Sequence, residues 1–157
     1  MYDRPFRPPL LFPPLPRTFV SYVYEYRHRV RYRECDPMGV VYHTHYLDYF
    51  EAGRTEALRD LGVRYRDLED SGIIMPVVEV NVRYHGPARY DEVIVVEVSF
   101  PEPPSVRVPI EYTVHRDGED ETLAEGHTTL CFMDAERRRP VRAPEGVREA
   151  FASTLPG

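Results

Sequence analysis

The sequence predicts an α+β fold in which one long helix lies against an antiparallel sheet of five strands. A two-residue hydrophobic period gives way, after a turn, to a period of three to four and then returns four times in succession. That order suits neighbouring strands joined by turns better than alternating βαβ units. The chain has 157 residues, 42% of them hydrophobic, enough for one domain that buries roughly 70% of its unfolded surface without a disulfide framework or structural metal. Its two cysteines, Cys35 and Cys131, lie far apart without metal-ligand spacing, which points to a reducing compartment and hence to the cytoplasm.

The first strand is predicted over Ser21 to Tyr32, where Tyr22, Tyr24, Tyr26, His28, Val30 and Tyr32 alternate with Val23, Glu25, Arg27, Arg29 and Arg31. The tyrosines read as strand packing. Alternation stops at Arg33 to Gly39, where Asp36-Pro37 and Gly39 force a turn. From Thr44 onward, Leu47, Phe50, Arg54, Leu58 and Leu61 fall along one side of a helix, with Thr44 as N-cap, Asp48 in the first turn and Gly62 at the end. Gly53 costs that helix roughly 1 kcal/mol relative to alanine, so the close approach of another backbone is expected there. Strands follow over Ile73 to Tyr84, Glu92 to Phe100, Val106 to Arg116 and Thr122 to Asp134, separated by Gly86-Pro87, by Pro101 to Ser105 and by Asp117-Gly118. Pro109 predicts a bulge or an unpaired position in the third of these.

At the ends the pattern weakens. Residues Met1 to Thr18 hold six prolines and no apolar h-region, so they read as a flexible leader rather than a signal peptide. The domain proper is expected over 19–136. From Arg137 the chain reads as a loosely tied tail with a short helix near Val147 to Phe151. The longest apolar runs, such as Val93 to Val96, are bounded by Glu92 and Glu97, so no membrane span is expected. A net charge of -6 argues against a nucleic-acid partner.

Glu34 to Tyr46 is the densest cluster of polar chemistry in the chain, and it joins a strand to a helix. A helix N-terminus offers unpaired N–H groups to a carbonyl that is becoming an oxyanion. A carboxylate just upstream, at Asp36, could reach that carbonyl as general base or nucleophile. The alternative for Asp36 is an Asx-turn residue bonding only its own loop. The His43 side chain either holds water or Asp36, or is a plain helix-start residue. A metal site from His43, His45 and Asp48 is disfavoured, because helix residues two apart point to different sides and no further His or Cys completes the set. Arg137, Arg138, Arg139 and Arg142 form the one compact basic run, either a dock for phosphates or a solvated surface. Arg83, Arg89 and Arg116 are weaker candidates. No GxSxG elbow or Gly-rich phosphate loop is present.

Asp36-Pro37-Met38-Gly39-Val40-Val41-Tyr42-His43, followed by Tyr46 and by Phe50-Glu51-Ala52-Gly53-Arg54-Thr55-Glu56, resembles the hotdog-fold acyl-CoA thioesterases of the 4-hydroxybenzoyl-CoA thioesterase type. Within them it looks closest to the branch associated with the Tol-Pal system. The likeness continues through Val80 to Glu92 and covers Tyr22 to Asp134. It implies a curved sheet wrapped around the helix, with homodimers that share a continuous sheet and often pair into homotetramers. It also implies that Asp36 attacks the thioester or activates water against it, while the backbone N–H of His43 polarises the carbonyl. Tyr42 would contact substrate, and Glu51 becomes a structural contact because Asp36 already fills the motif position. The implied reaction hydrolyses acyl-CoA with water, without metal or redox cofactor. Two competing substrates or roles remain: a thioester carried by acyl carrier protein, and non-catalytic binding of acyl-CoA.

Overall fold

The structure, a computed structural model, describes residues 22–154. The leader 1–18 lies outside them. The tyrosine alternation folds as strand β1 (Val23–Arg29), with Tyr24, Tyr26 and His28 turned inward and Val23, Glu25, Arg27 and Arg29 exposed. It ends three residues before the predicted limit. The Glu34 carboxylate takes the Arg31 N–H at 2.6 Å and closes a 3-10 turn over Tyr32–Glu34.

Helix α1 (His45–Asp60) follows the loop. Thr44 precedes it but does not cap it: its backbone is already helical and its hydroxyl makes no capping bond. Gly62, at φ +88°, ends the helix as expected. The sequence did not reveal helix α2 (Tyr65–Asp70), which buries only Leu68 and is too short to display a helical period.

The predicted strand Ile73 to Tyr84 is two strands, β2 (Ile73–Ile74) and β3 (Val77–Tyr84), divided at Met75-Pro76. Strands β4 (Val93–Ser99), β5 (Arg107–Arg116) and β6 (Thr122–Cys131) come next, and Met133–Asp134 separates from β6 at Phe132 to form β7. The main sheet is fully antiparallel with order β1-β4-β5-β6-β3, the five-stranded sheet that was expected. Strands β2, β7 and β8 (Arg139–Pro140) make a second, small sheet. Pro109 sits in regular register opposite Thr129, and the irregularity falls instead at Val114/His115. The β4 ladder ends at Ser99↔Glu111, so no donor is asked of Pro109 on that side.

The inner face of the sheet packs on α1. Phe50 is fully buried, stacks on Tyr112 with ring centroids 4.3 Å apart and lies over Gly126. Gly53 rests against the side chains of Val96 and Val98 and the Cβ of Tyr26 rather than against a backbone. Helix α3 (Glu145–Ala152) buries Val147 and Phe151, the latter edge-on to Phe100 at 4.9 Å. Among the described residues, α3 is therefore packed on the core rather than loosely tied, because its apolar residues recur at helical spacing and meet Phe100.

Candidate active site

The loop between β1 and α1 is a small hairpin. Cys35 bridges Val41, the Asp36 N–H donates to the Val40 carbonyl at 2.9 Å, and the Gly39 N–H donates to the Asp36 carbonyl at 2.9 Å. Gly39 has φ +79°, which a residue with a Cβ adopts only at a cost. Asp36 Oδ1 accepts the Met38 N–H at 2.9 Å, so the residue does make an Asx turn. Its Oδ2 accepts no hydrogen bond from the described residues, which leaves one oxygen of a half-buried carboxylate available.

The other wall is the start of α1. The Val41 N–H donates to Ala88, and Val40 bridges Arg89, so the loop is stitched to the turn that leads into β4. Arg116 braces that turn by donating to the Pro87 carbonyl at 2.6 Å while paired with Glu92 at 3.1 Å. It is thus a structural residue rather than a free phosphate contact. The His43 carbonyl accepts the Tyr84 hydroxyl at 2.8 Å, whereas the His43 N–H donates to no acceptor among the described residues. The His43 ring is exposed and lies edge-on to Tyr42 and Tyr84. Asp36 and the His43 N–H thus flank one hairpin, and a carbonyl presented to both could be attacked and polarised together.

A buried cluster supports this loop, and no role was read for it in the sequence. The Glu34 carboxylate, almost fully buried, accepts the Arg31 N–H, and His28 Nε2 lies 3.0 Å from each of its oxygens. A carboxylate only accepts, so Nε2 carries the proton. Burial alone would raise the Glu34 carboxyl; the bonds from Arg31 and His28 and the imidazole charge outweigh it and hold the group below the usual carboxylate range. Tyr49 of α1 packs its ring on His28 at 4.7 Å, and its buried phenol is pushed far up by desolvation and by the Glu34 charge. The available signal was parity: His28 is an inward strand position, and Glu34 lies within the recognised loop.

The remaining predicted residues are dispersed. His45 pairs with Asp48 at 3.0 Å and His43 does not join them. Glu51 is exposed, and Glu56 pairs with Arg59. Arg137, Arg138 and Arg139 are exposed at the tip between β7 and β8, held by Asp134 Oδ1, which accepts the Glu136 and Arg137 N–H groups. They follow the Cys131 end of β6, whereas Asp36 and His43 adjoin the Tyr84 end of β3. Within one chain the two groups therefore sit at opposite ends of a sheet roughly 30 Å long. A cleft of about 510 Å³ between α1 and α2 is lined by Thr55, Arg59, Arg64, Tyr65, Arg66 and Glu69. Half-buried Arg54 of α1 lies against the Tyr65 hydroxyl at 3.4 Å and has no carboxylate partner among the described residues.

The profile described as "thioesterase-like superfamily" matches residues 30–151. A candidate acyl-CoA thioesterase of Bacillus subtilis, YneP, is 34% identical over 78% of this chain and 85% of its own length. The acyl-CoA thioesterase YbgC of Haemophilus influenzae is 31% identical over 78% of this chain and 90% of its own. Among solved structures, a DHNA-CoA thioesterase from Staphylococcus aureus superposes with a TM-score of 0.78 at 29% identity, covering 83% of this chain and 89% of that one. The hotdog architecture expected from the motif is thereby shown.

Proposed function

Because the chain belongs to the thioesterase-like superfamily, we propose that it hydrolyses acyl-CoA to a free carboxylic acid and coenzyme A. The observation that carries the reading is the free oxygen of Asp36 on a hairpin that ends at the unengaged N–H of His43, in the turn just before α1. In the reaction, Asp36 takes the proton of an attacking water or itself attacks the carbonyl carbon. The His43 N–H receives the developing oxyanion and the C–S bond breaks; as base, Asp36 passes the proton it took from water to the departing thiolate, and as nucleophile it leaves a mixed anhydride that water then hydrolyses to the free acid, while the thiolate takes up a proton from solvent. The motif supports placement with the 4-hydroxybenzoyl-CoA type and the Tol-Pal branch, and the free thiols of Cys35 and Cys131 suit the cytoplasm.

The working unit we propose is a homodimer formed through β3, with a homotetramer as its further assembly. Strand β3 is one of the two edges of the main sheet, and Val77, Val78, Val80 and Tyr84 are 42–51% exposed on it. Such an edge pairs readily with a second copy. Antiparallel pairing about a twofold axis would set the Val77 end of one β3 beside the Tyr84 end of the other. The arginine tip of one subunit would then approach the Asp36 end of its neighbour, which supports Arg137, Arg138 and Arg139 as a dock for the coenzyme A phosphates.

Asp36→Asn is expected to lower kcat at least about a hundredfold with an unchanged melting temperature; wild-type kcat in the folded variant would refute the mechanism. Replacing Arg137, Arg138 and Arg139 together by Ser should raise KM for acyl-CoA several-fold and leave acyl-pantetheine untouched. Preference for acyl carrier protein over acyl-CoA in the wild type would instead assign the thioester to the carrier.

A further inference from the structure

We infer that Glu34, through its buried bond to His28, is the positioning residue that sets the separation between the Asp36 carboxylate and the His43 N–H; the inference rests on the role proposed above for those two groups. Glu34 stands where the chain enters the catalytic hairpin, and it holds both of that hairpin's ends. Its side chain is fixed to β1 by His28 and to the 3-10 turn by the Arg31 N–H. Its carbonyl accepts the N–H of Tyr42 at 2.9 Å, the residue immediately before His43. Asp36 is two residues downstream of Glu34, so one residue, anchored by its side chain and bonded through its carbonyl, is tied to both arms of the site.

The chemistry of the pair fits that task. A carboxylate taken out of water loses a large hydration energy, so it is tolerated only with well-placed donors. Here two donors converge on it, and His28 is itself confined by the ring of Tyr49 from α1. The pair therefore ties β1, the loop and α1 together at one point. Neither Glu34 nor His28 is placed to touch substrate: both are buried or half-buried behind the hairpin, at side-chain exposures of 8% and 15%. Small displacements of reacting groups, about 1 Å, can cost a hundredfold in rate. A loosened Glu34 should therefore act on the chemical step and leave binding of the acyl and nucleotide parts alone.

The test uses the full chain and measures kcat and KM on acyl-CoA, with melting temperature as a check on folding. Glu34→Gln, whose amide offers one acceptor and no charge, is expected to lower kcat ten- to a hundredfold with KM within threefold. His28→Phe keeps a ring against Tyr49 but removes the donor, and it should do the same. His28→Gln restores an N–H toward Glu34 and should recover most of kcat. Combining His28→Phe with Glu34→Gln should be no worse than Glu34→Gln alone, because one interaction is lost in both. If Glu34→Gln does not fold, the comparison of His28→Phe with His28→Gln decides. Equal kcat in those two variants overturns the inference, as does wild-type kcat in folded Glu34→Gln or a KM that rises in step with the fall in kcat. Wild-type kcat in Asp36→Asn would instead sink the mechanism on which the inference stands.

Discussion

Replacing Gly126 by alanine is expected to destabilise the protein by about 3 kcal/mol, the upper part of the range for overpacking a well-filled core. A Cβ built at Gly126 collides with the ring of Phe50. The ring has nowhere to go, since Phe50 is fully buried and stacked on Tyr112, whose hydroxyl is in turn bonded to Thr128 at 2.8 Å. The backbone is equally confined, because Gly126 is paired with Tyr112 on one side and Val82 on the other. For a domain of this size each kcal/mol lowers the melting temperature by about 2–4 °C, so the variant should melt about 6–12 °C lower. Circular dichroism melts of wild type, Gly126→Ala, Phe50→Leu and the double variant make the measurement. The double variant should be markedly more stable than the sum of the singles implies, because the smaller side chain makes room for the methyl group. A melting temperature within 2 °C of wild type for Gly126→Ala would show, at the ~1 kcal/mol level, that the helix and sheet are not locked together at this point.

Two further outcomes follow from the sheet. Val80→Lys on the β3 edge, where Val80 is 45% exposed in the single chain, should reduce the mass seen by light scattering from a dimer or tetramer to the 18.4 kDa of one chain, and activity should fall with it; an unchanged mass would exclude pairing through this strand. The pKa of His115 is raised: burial opposes its protonated form, but the Arg116 carbonyl and Glu97 outweigh burial. Its contribution to stability should therefore be complete below about pH 6.5 and fade as pH rises through the folded-state pKa, and Glu97→Gln should flatten that part of a stability-versus-pH curve; an identical slope in both proteins would rule the pair out as its source.

Periodicity and turn chemistry suffice to place the long helix and the five strands in this chain, since each is long enough for several repeats of its period and α1, β3, β4 and β5 are each followed within two residues by Gly or Pro. The hairpin of Asp36 and the turn at His43 that leads into α1 are legible for a related reason: the chemistry and the turn residues lie within one short stretch. What the one-dimensional pattern did not show is short or non-local. Helix α2 and the strands β2, β7 and β8 have too few residues to express a period. The burial of Val147 and Phe151 depends on Phe100 and its neighbours about fifty positions away. His28 and Glu34 meet only because a 3-10 turn folds the chain back on β1. The arginines after β6 fall at the far end of the sheet from Asp36 because antiparallel pairing fixes which strand ends are neighbours, and pairing is a property of partners rather than of any one segment.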